Sequence, residues 1–435
     1  MGKSRLPIVS LCLVALSSVV TSAPLTSSSS TSGSPSPSPT LPYASDNPNV
    51  ELWNQDSYII PEPIRGSLGA TILGPTNVLL DLQNPSLLAP PSTDHGTIPN
   101  AKWPFYLSHN RLQTGGWSRQ QNVNDMPISI EMAGVDMRLE AGSIRELHWH
   151  TTAEWAYVLK GTTQITTVTP DGQNYLANVN QGDIWYFPPG QPHSLQATAD
   201  CPEGTEFLLV FDNGKFSEDS TFLLTDWLAH IPKEVIAKNF QVDQSAFDHI
   251  PDQELYIFPS TPPSDNGDLP ISPQGQSSEP YSFPLSQYNA TQLPGGTIKI
   301  VDSTVFKASK TIAVAEITLE PGAMRELHWH PIQAEWDYFI SGNARITLFA
   351  ANSDARTFDY QPGDIAYIPQ SYGHYVENTG NTTLHYLEIM KTDKFQDVSL
   401  NQWLALTPPA IVKAHLDVSD DTISHFSKTK PIIVG

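Results

Sequence analysis

The 435-residue chain carries 45 Asp and Glu against 23 Lys and Arg, a formal net charge of −22. That excess argues against nucleic acid and anionic membrane surfaces as partners. Two cysteines exclude a disulfide-built fold, and the length allows two domains with ordinary cores.

Residues 1–23 read as a secretory signal: Lys3 and Arg5, an apolar run from Leu6 to Val20, then Thr21-Ser22-Ala23. The run is too short to span a bilayer, and no later stretch is long and apolar enough to do so. The reading makes the protein secreted and extracellular, with the cell wall as one destination. Cleavage after Ala23 removes Cys12 and two positive charges, so −22 becomes −24 and Cys201 is left alone; it is expected to be buried and inert. Residues 24–50 are a Ser/Pro-rich leader with no means of building a core. Residues 51–99 read as an arm that packs on something larger. A first β domain over 100–250, a Pro/Ser-rich linker over 251–290 and a second β domain over 291–435 complete the chain. Asn289 and Asn381 stand in Asn-x-Ser/Thr acceptors, which the signal makes candidate glycan sites.

The two domains are copies. Gly115-Gly116 matches Gly295-Gly296, and the offset of 180 holds through Ser129/Ser309, Gly142/Gly322 and Arg145/Arg325. One inserted residue then makes it 181, aligning Glu154 with Glu335, His193 with His374 and Gly182-Asp183-Ile184 with Gly363-Asp364-Ile365. Short alternating runs (154–158, 164–168, 184–187, 206–211) separated by turn residues predict an all-β sandwich or barrel in each copy. Helical patterns follow at 221–230 and 399–406, with Ser220 and Ser399 as N-caps.

Within each copy stands Arg-Glu-Leu-His-Trp-His: Arg145 to His150, then Arg325 to His330. Histidines two apart on a strand share a face. Adding Glu154 and His193 to His148 and His150, and Glu335 and His374 to His328 and His330, gives two sets of three imidazoles and one carboxylate. Such sets suit Mn, Fe, Cu, Ni or Zn, and the absence of thiolate disfavours a closed structural zinc site. Trp149 and Trp329 should face away from the metal as packing, and Trp185 belongs in the core. Arg145 and Arg325 have two placements: strict alternation points them outward, and a bend at Gly142 or Gly322 returns them to the pocket. The copies also differ after the domain, where Phe216 reaches Trp227 in eleven positions and Phe395 reaches Trp403 in eight. The first copy thus carries about three extra residues, Glu218 among them, which are either neutral loop variation or a lid that sets a carboxylate over one site only.

This duplicated motif, with the segment Ser217-Glu218-Asp219-Ser220, resembles the bicupin oxalate decarboxylases of the secreted fungal kind, from about Trp53 to the C-terminus. The resemblance implies two cupin (jelly-roll, double-stranded β-helix) barrels with short flanking α-helices and two Mn2+ per chain, each held by a His3Glu set. It implies dioxygen as a co-catalyst, oxalate as substrate, and a homo-oligomer, trimer or hexamer. It makes Arg145 the oxalate-binding residue and Glu218 a lid proton donor and acceptor, and places Arg325 and Glu388 near the second site. The family lid is commonly Ser-Glu-Asn-Ser, so Asp219 is a departure. Two alternatives stand beside it: an oxalate oxidase, yielding CO2 and H2O2, and a storage or binding bicupin.

Overall fold

The computed structural model describes residues 39–54, 57, 59–264 and 269–435; the expected signal and the leader as far as residue 38 lie outside the described residues. The leader gives way to packed chain before residue 50. Thr40 and Leu41 are buried, Thr40 N donates to Ile64 O (3.0 Å), and Tyr43 packs on Trp53. These apolar and hydrogen-bonded groups follow directly on the Ser/Pro run.

Each copy folds as two antiparallel sheets. In the first barrel, one sheet runs Asn174–Asn180, Thr162–Val168, His193–Ala197, Ile144–Trp149, Phe222–Leu223, with Ile257–Phe258 also on the Ile144–Trp149 strand. The facing sheet runs Ser282–Phe283, Ile184–Phe187, Glu154–Lys160, Thr205–Phe211, Ala133–Leu139, Gly116–Gln121, Arg111–Gln113. The second barrel repeats the plan, Met324–Trp329 lying beside His374–Asn378 and Glu335–Ser341 beside Leu384–Met390.

Three cores result. Val135, Trp185 and Phe207 fill the first barrel; Ile317, Phe358 and Tyr386 fill the second. Between the seven-stranded sheets lies a third, with Trp155, Tyr157, Trp336 and Tyr338. Glu154–Lys160 therefore has one face inside its barrel and one against the other barrel, which is why it reads as nearly continuous apolar sequence. Trp336 Nε1 donates to Gln121 Oε1 across the junction (2.8 Å).

The barrels also exchange strands. Lys102–Pro104, just after the arm, pairs with Asp364–Ile368 of the second barrel, and Ser282–Phe283 of the linker pairs with Ile184–Trp185 of the first. Boundaries at 100, 251 and 291 cut through this exchange. The arm packs on the second barrel, where Ser86 N donates to Asp359 (2.8 Å) and Asp94 accepts from Thr357.

Two local expectations are corrected. Ser220 does not cap a helix: Phe222–Leu223 first extends the sheet, the helix spans Leu224–Ala229, and Ser217 caps the short Glu218–Ser220 turn instead. Ser399 does cap Leu400–Leu406 through Gln402 N. Cys201 is half-buried rather than sealed, because it lies in a turn beyond the strand end, where Sγ donates to Glu203 (3.2 Å). No helix among the described residues is long and apolar enough to cross a membrane.

Candidate metal centres and the active site

His148 and His193 sit directly opposite each other on paired strands, and His150 follows the strand end. Glu154 comes from the facing sheet, so the cluster pins the two sheets together at one end of the barrel. Each histidine donates Nδ1–H to a backbone carbonyl: His148 to Glu146 (2.7 Å), His150 to Thr152 (2.7 Å) and His193 to Gln191 (2.8 Å). That fixes the tautomer and leaves three Nε2 lone pairs directed inward. In the second barrel His328 donates to Glu326, His330 to Gln396 and His374 to Tyr372. His330 reaches across to Gln396 because the inserted residue widens the turn before Glu335.

In each set the four donor atoms lie within 4.8 Å of one another and all four residues are buried. Nε2 of His193, His328, His330 and His374 and both oxygens of Glu335 are buried without a hydrogen-bond partner. Buried orphan lone pairs facing one point are costly unless a cation takes them, so the donor set fits a divalent transition metal. Burial, then the Arg145 charge, hold His148 well below the usual imidazole range, in the neutral form a ligand needs.

Both arginines are inside the barrels. The device is a β-bulge: between Leu195↔Arg145 and His193↔His148, three steps on one strand oppose two on the other, and Val376↔Arg325 with His374↔His328 repeats it. The extra residue cancels one alternation and turns Arg145 and His148 to the same face. Trp149 and Trp329 face outward, packing on Trp227 and Trp403.

The surroundings of the two centres differ. Arg145 Nη2 donates to Glu218 Oε2 (2.9 Å), and its Nε and Nη1 are buried without a partner. Arg325 has an acceptor for every nitrogen: Glu388 at 3.5 Å, the Ile432 carbonyl at 3.5 Å and Asp397 at 2.6 Å. Asp397, two residues after Phe395, is the counterpart of Glu218, two after Phe216. A carboxylate over one site only is thus corrected, since the three extra residues lie beyond the acid. Asp397 is also paired with Lys430. Burial opposes its ionisation, but Arg325 and Lys430 outweigh burial and keep it below the ordinary range.

Other residues were missed. Trp185 is core as expected, but its Nε1 also donates to Glu154 Oε1 (2.8 Å). The second barrel has Ala366 there and replaces the indole with Asp337, aligned with Ala156. Burial, then Glu335, push the Asp337 carboxyl well up, so it stays a neutral acid near Glu335, with neither oxygen hydrogen-bonded. Glu388 occupies the place of Leu209, its Oε1 3.3 Å from His330 Nε2. Burial pulls His330 down, but Glu335 and Glu388 outweigh it and lift His330 to about 10. Tyr256, in the presumed linker, donates to Glu218 Oε2 (2.6 Å) and shares a hydrogen bond with Ser118 Oγ (2.7 Å). Burial, then Glu218, raise its phenol, which keeps it a donor. Its pseudo-equivalent is Ile432, and both have positive φ (59° and 66°). Glu146 imposes that turn on Tyr256, accepting from Leu255 N, Tyr256 N and Thr225.

The Cupin family model matches residues 108–247 and 284–424. The oxalate decarboxylase OxdC of Bacillus subtilis is 52% identical over 376 residues, covering 86% of this chain and 97% of that one. This chain belongs to the bicupin oxalate decarboxylases. A probable oxalate decarboxylase of the fungus Arthroderma benhamiae is 47% identical over 385 residues, covering 86% of this chain and 93% of that relative. The B. subtilis decarboxylase solved at pH 4.6 superposes with a TM-score of 0.83 at 52% identity, over 86% of this chain and 98% of that one. Another solved form of that enzyme, with a TM-score of 0.84 at 52% identity over 86% of this chain and 99% of that one, concerns the electron paramagnetic resonance fine-structure parameters of its Mn(II) centres.

Proposed function

We propose that the chain converts oxalate and a proton to formate and carbon dioxide at the first-barrel centre, with Mn2+ at both His3Glu sets. The observation that carries the choice of centre is the pair of unpartnered Arg145 donors. Arg145 Nε and Nη1 are buried with no acceptor, so desolvated, positively charged N–H donors are left for a substrate carboxylate to satisfy. Arg325, each of whose nitrogens already has an acceptor, has no such unpartnered nitrogen.

Manganese bound by His148, His150, Glu154 and His193, with dioxygen as co-catalyst, supplies the one-electron chemistry that weakens the bond between oxalate's two electron-poor carbons. The chain's residues manage charge and the proton. Arg145 grips the carboxylate that is retained. Glu218 first takes the proton of the oxalate monoanion and, after carbon dioxide leaves, returns it to carbon, forming the C–H bond of formate. The proton count closes: hydrogen oxalate yields formate and carbon dioxide. Tyr256 and Arg145 both donate to Glu218 Oε2 and so orient the carboxyl group for the first transfer, and its burial excludes water from the second. At the second centre Arg325 and Glu388 hold charge around the metal rather than substrate.

The same residues would support an oxidase if the proton did not return to carbon. Incubating the Mn-loaded protein with oxalate and dioxygen at mildly acidic pH, with formate and peroxide measured together, separates the readings. Formate with little peroxide is expected; peroxide in place of formate overturns the proposal, and neither product with no bound metal points to a storage or binding bicupin. A homo-oligomer, trimer or hexamer, is supported by exposed apolar residues matched on both barrels: Leu147 and Trp227 on one, Leu327 and Trp403 on the other. Secretion rests on residues 1–23, and Asn289 and Asn381 are both exposed, as glycan acceptors must be.

A further inference from the structure

The proton-handling carboxylate Glu218 is held from inside by Arg145 and Tyr256. A second arginine stands outside. Arg111, on the edge strand Arg111–Gln113, places its guanidinium 3.6 Å from the centre of the Tyr256 ring, and Arg145 lies 4.1 Å from the same centre. Two guanidinium groups at those heights would collide on one face, so the ring is held between them. Arg111 also forms an ion pair with Glu254, two residues before Tyr256, and its Nη1 lies 3.8 Å from Asp219 Oδ1, next to Glu218. One cation thus touches both segments that supply the inner groups of the site.

The second barrel lacks every part of this arrangement. Thr291 stands where Arg111 does, Lys430 replaces Glu254, Ile432 replaces Tyr256, and the shorter connection after Phe395 has no counterpart of Asp219. The B. subtilis enzyme carries Ser-Glu-Asn-Ser where this chain has Ser217-Glu218-Asp219-Ser220, so the charge on Asp219 distinguishes this chain.

We propose that Arg111 is a positioning residue which clasps the Glu218 segment shut from outside, through an ionic contact to Asp219 and a cation–π contact to Tyr256. The proposal deepens the function given above and rests on it. Asp219 is highly exposed, so the contact is modest and screened by salt. It acts between the two proton transfers: while the clasp holds, Glu218 returns the proton to carbon, and when it opens the remaining one-carbon fragment leaves as a second carbon dioxide, the electrons and two protons passing to dioxygen to form hydrogen peroxide.

The test is the formate-to-peroxide ratio of the Mn-loaded protein, its Asp219→Asn and Arg111→Ala variants, and the double variant, at low salt and at about 0.5 M salt. Each single change should lower the ratio, and the pair should show a coupling of about two- to fivefold at low salt that disappears at high salt. The oxalate KM should stay unchanged, because Arg145 is untouched. Arg111→Lys should restore the Asp219 coupling but not the whole ratio, since an ammonium lacks the planar face that stacks on Tyr256. A purely structural Arg111 would lower both products together. Additive effects, or a coupling that survives high salt, overturn the clasp. If Arg111→Ala does not fold, Asp219→Asn alone decides: equal salt dependence of the ratio in that variant and the unmodified protein refutes the proposal. Formate from the unmodified protein keeps the function standing if the clasp falls.

Discussion

Replacing Trp185 with Phe should weaken metal binding at one centre and spare the other. The indole N–H is the hydrogen bond to Glu154 Oε1 from outside the ligand set, at 2.8 Å, and both residues are fully buried. A hydrogen bond to a buried charge contributes about 1.5–3 kcal/mol, and loss of such an outer partner costs about ten- to a hundredfold in metal affinity. The second centre is an internal control. It has Ala366 at that position, and Glu335 receives no such hydrogen bond. Titration of the metal-stripped variant with Mn2+, followed by electron paramagnetic resonance, should show one site near its original affinity and one weakened by one to two orders of magnitude. Equal affinities at both sites, both unchanged, would mean that Trp185 is packing and nothing more. Equal weakening at both would mean that the effect is global.

Arg145→Lys should lower kcat/KM for oxalate, read as formate formed, by about a hundredfold, because one ammonium cannot hold Glu218 and a substrate carboxylate together as the wider guanidinium does; Arg325→Lys assayed alongside should retain most activity, and the reverse ranking would move catalysis to the second barrel. Burial, then Glu206, raise Asp136 to about 6, against the pull of Arg119. A carboxyl raised on folding favours the protonated native state, so its stabilising contribution is present below about pH 4 and is lost as pH rises through 6. The amount is about 3 kcal/mol. Asp136→Asn should therefore gain stability relative to the unmodified protein at pH 7 but not at pH 4, checked by denaturant unfolding at both; the same difference at each pH would refute it.

The sequence made the ligands and the duplication legible because His-x-His maps directly onto one strand face and repeats in register. The placement of Arg145 was not legible, because a β-bulge is a property of strand pairing and leaves no local mark. Trp185 sat in an apolar run, Ile184 to Phe187, where nothing distinguishes a packing indole from a donating one. Tyr256 was hidden by its Pro-rich neighbourhood, although the apolar pairs Ile257-Phe258 and Ile433-Val434, each following the helices of its copy, mark it in retrospect. The strongest unread signal was in the alignment of the copies. Ala156 becomes Asp337 and Leu209 becomes Glu388, and acids at inward barrel positions imply a charged partner inside. Reading two positions past Phe216 and Phe395 would likewise have paired Glu218 with Asp397.

The account turns on Glu218 as the group that removes and returns the proton. The most direct measurement is formate and peroxide, recorded together with oxalate consumption, from Mn-loaded Glu218→Ala whose oxalate and manganese binding have been checked. The account predicts that formate falls by about two or more orders of magnitude, as expected on losing a general acid–base group, while both ligands still bind. Formate at the unmodified rate would contradict it.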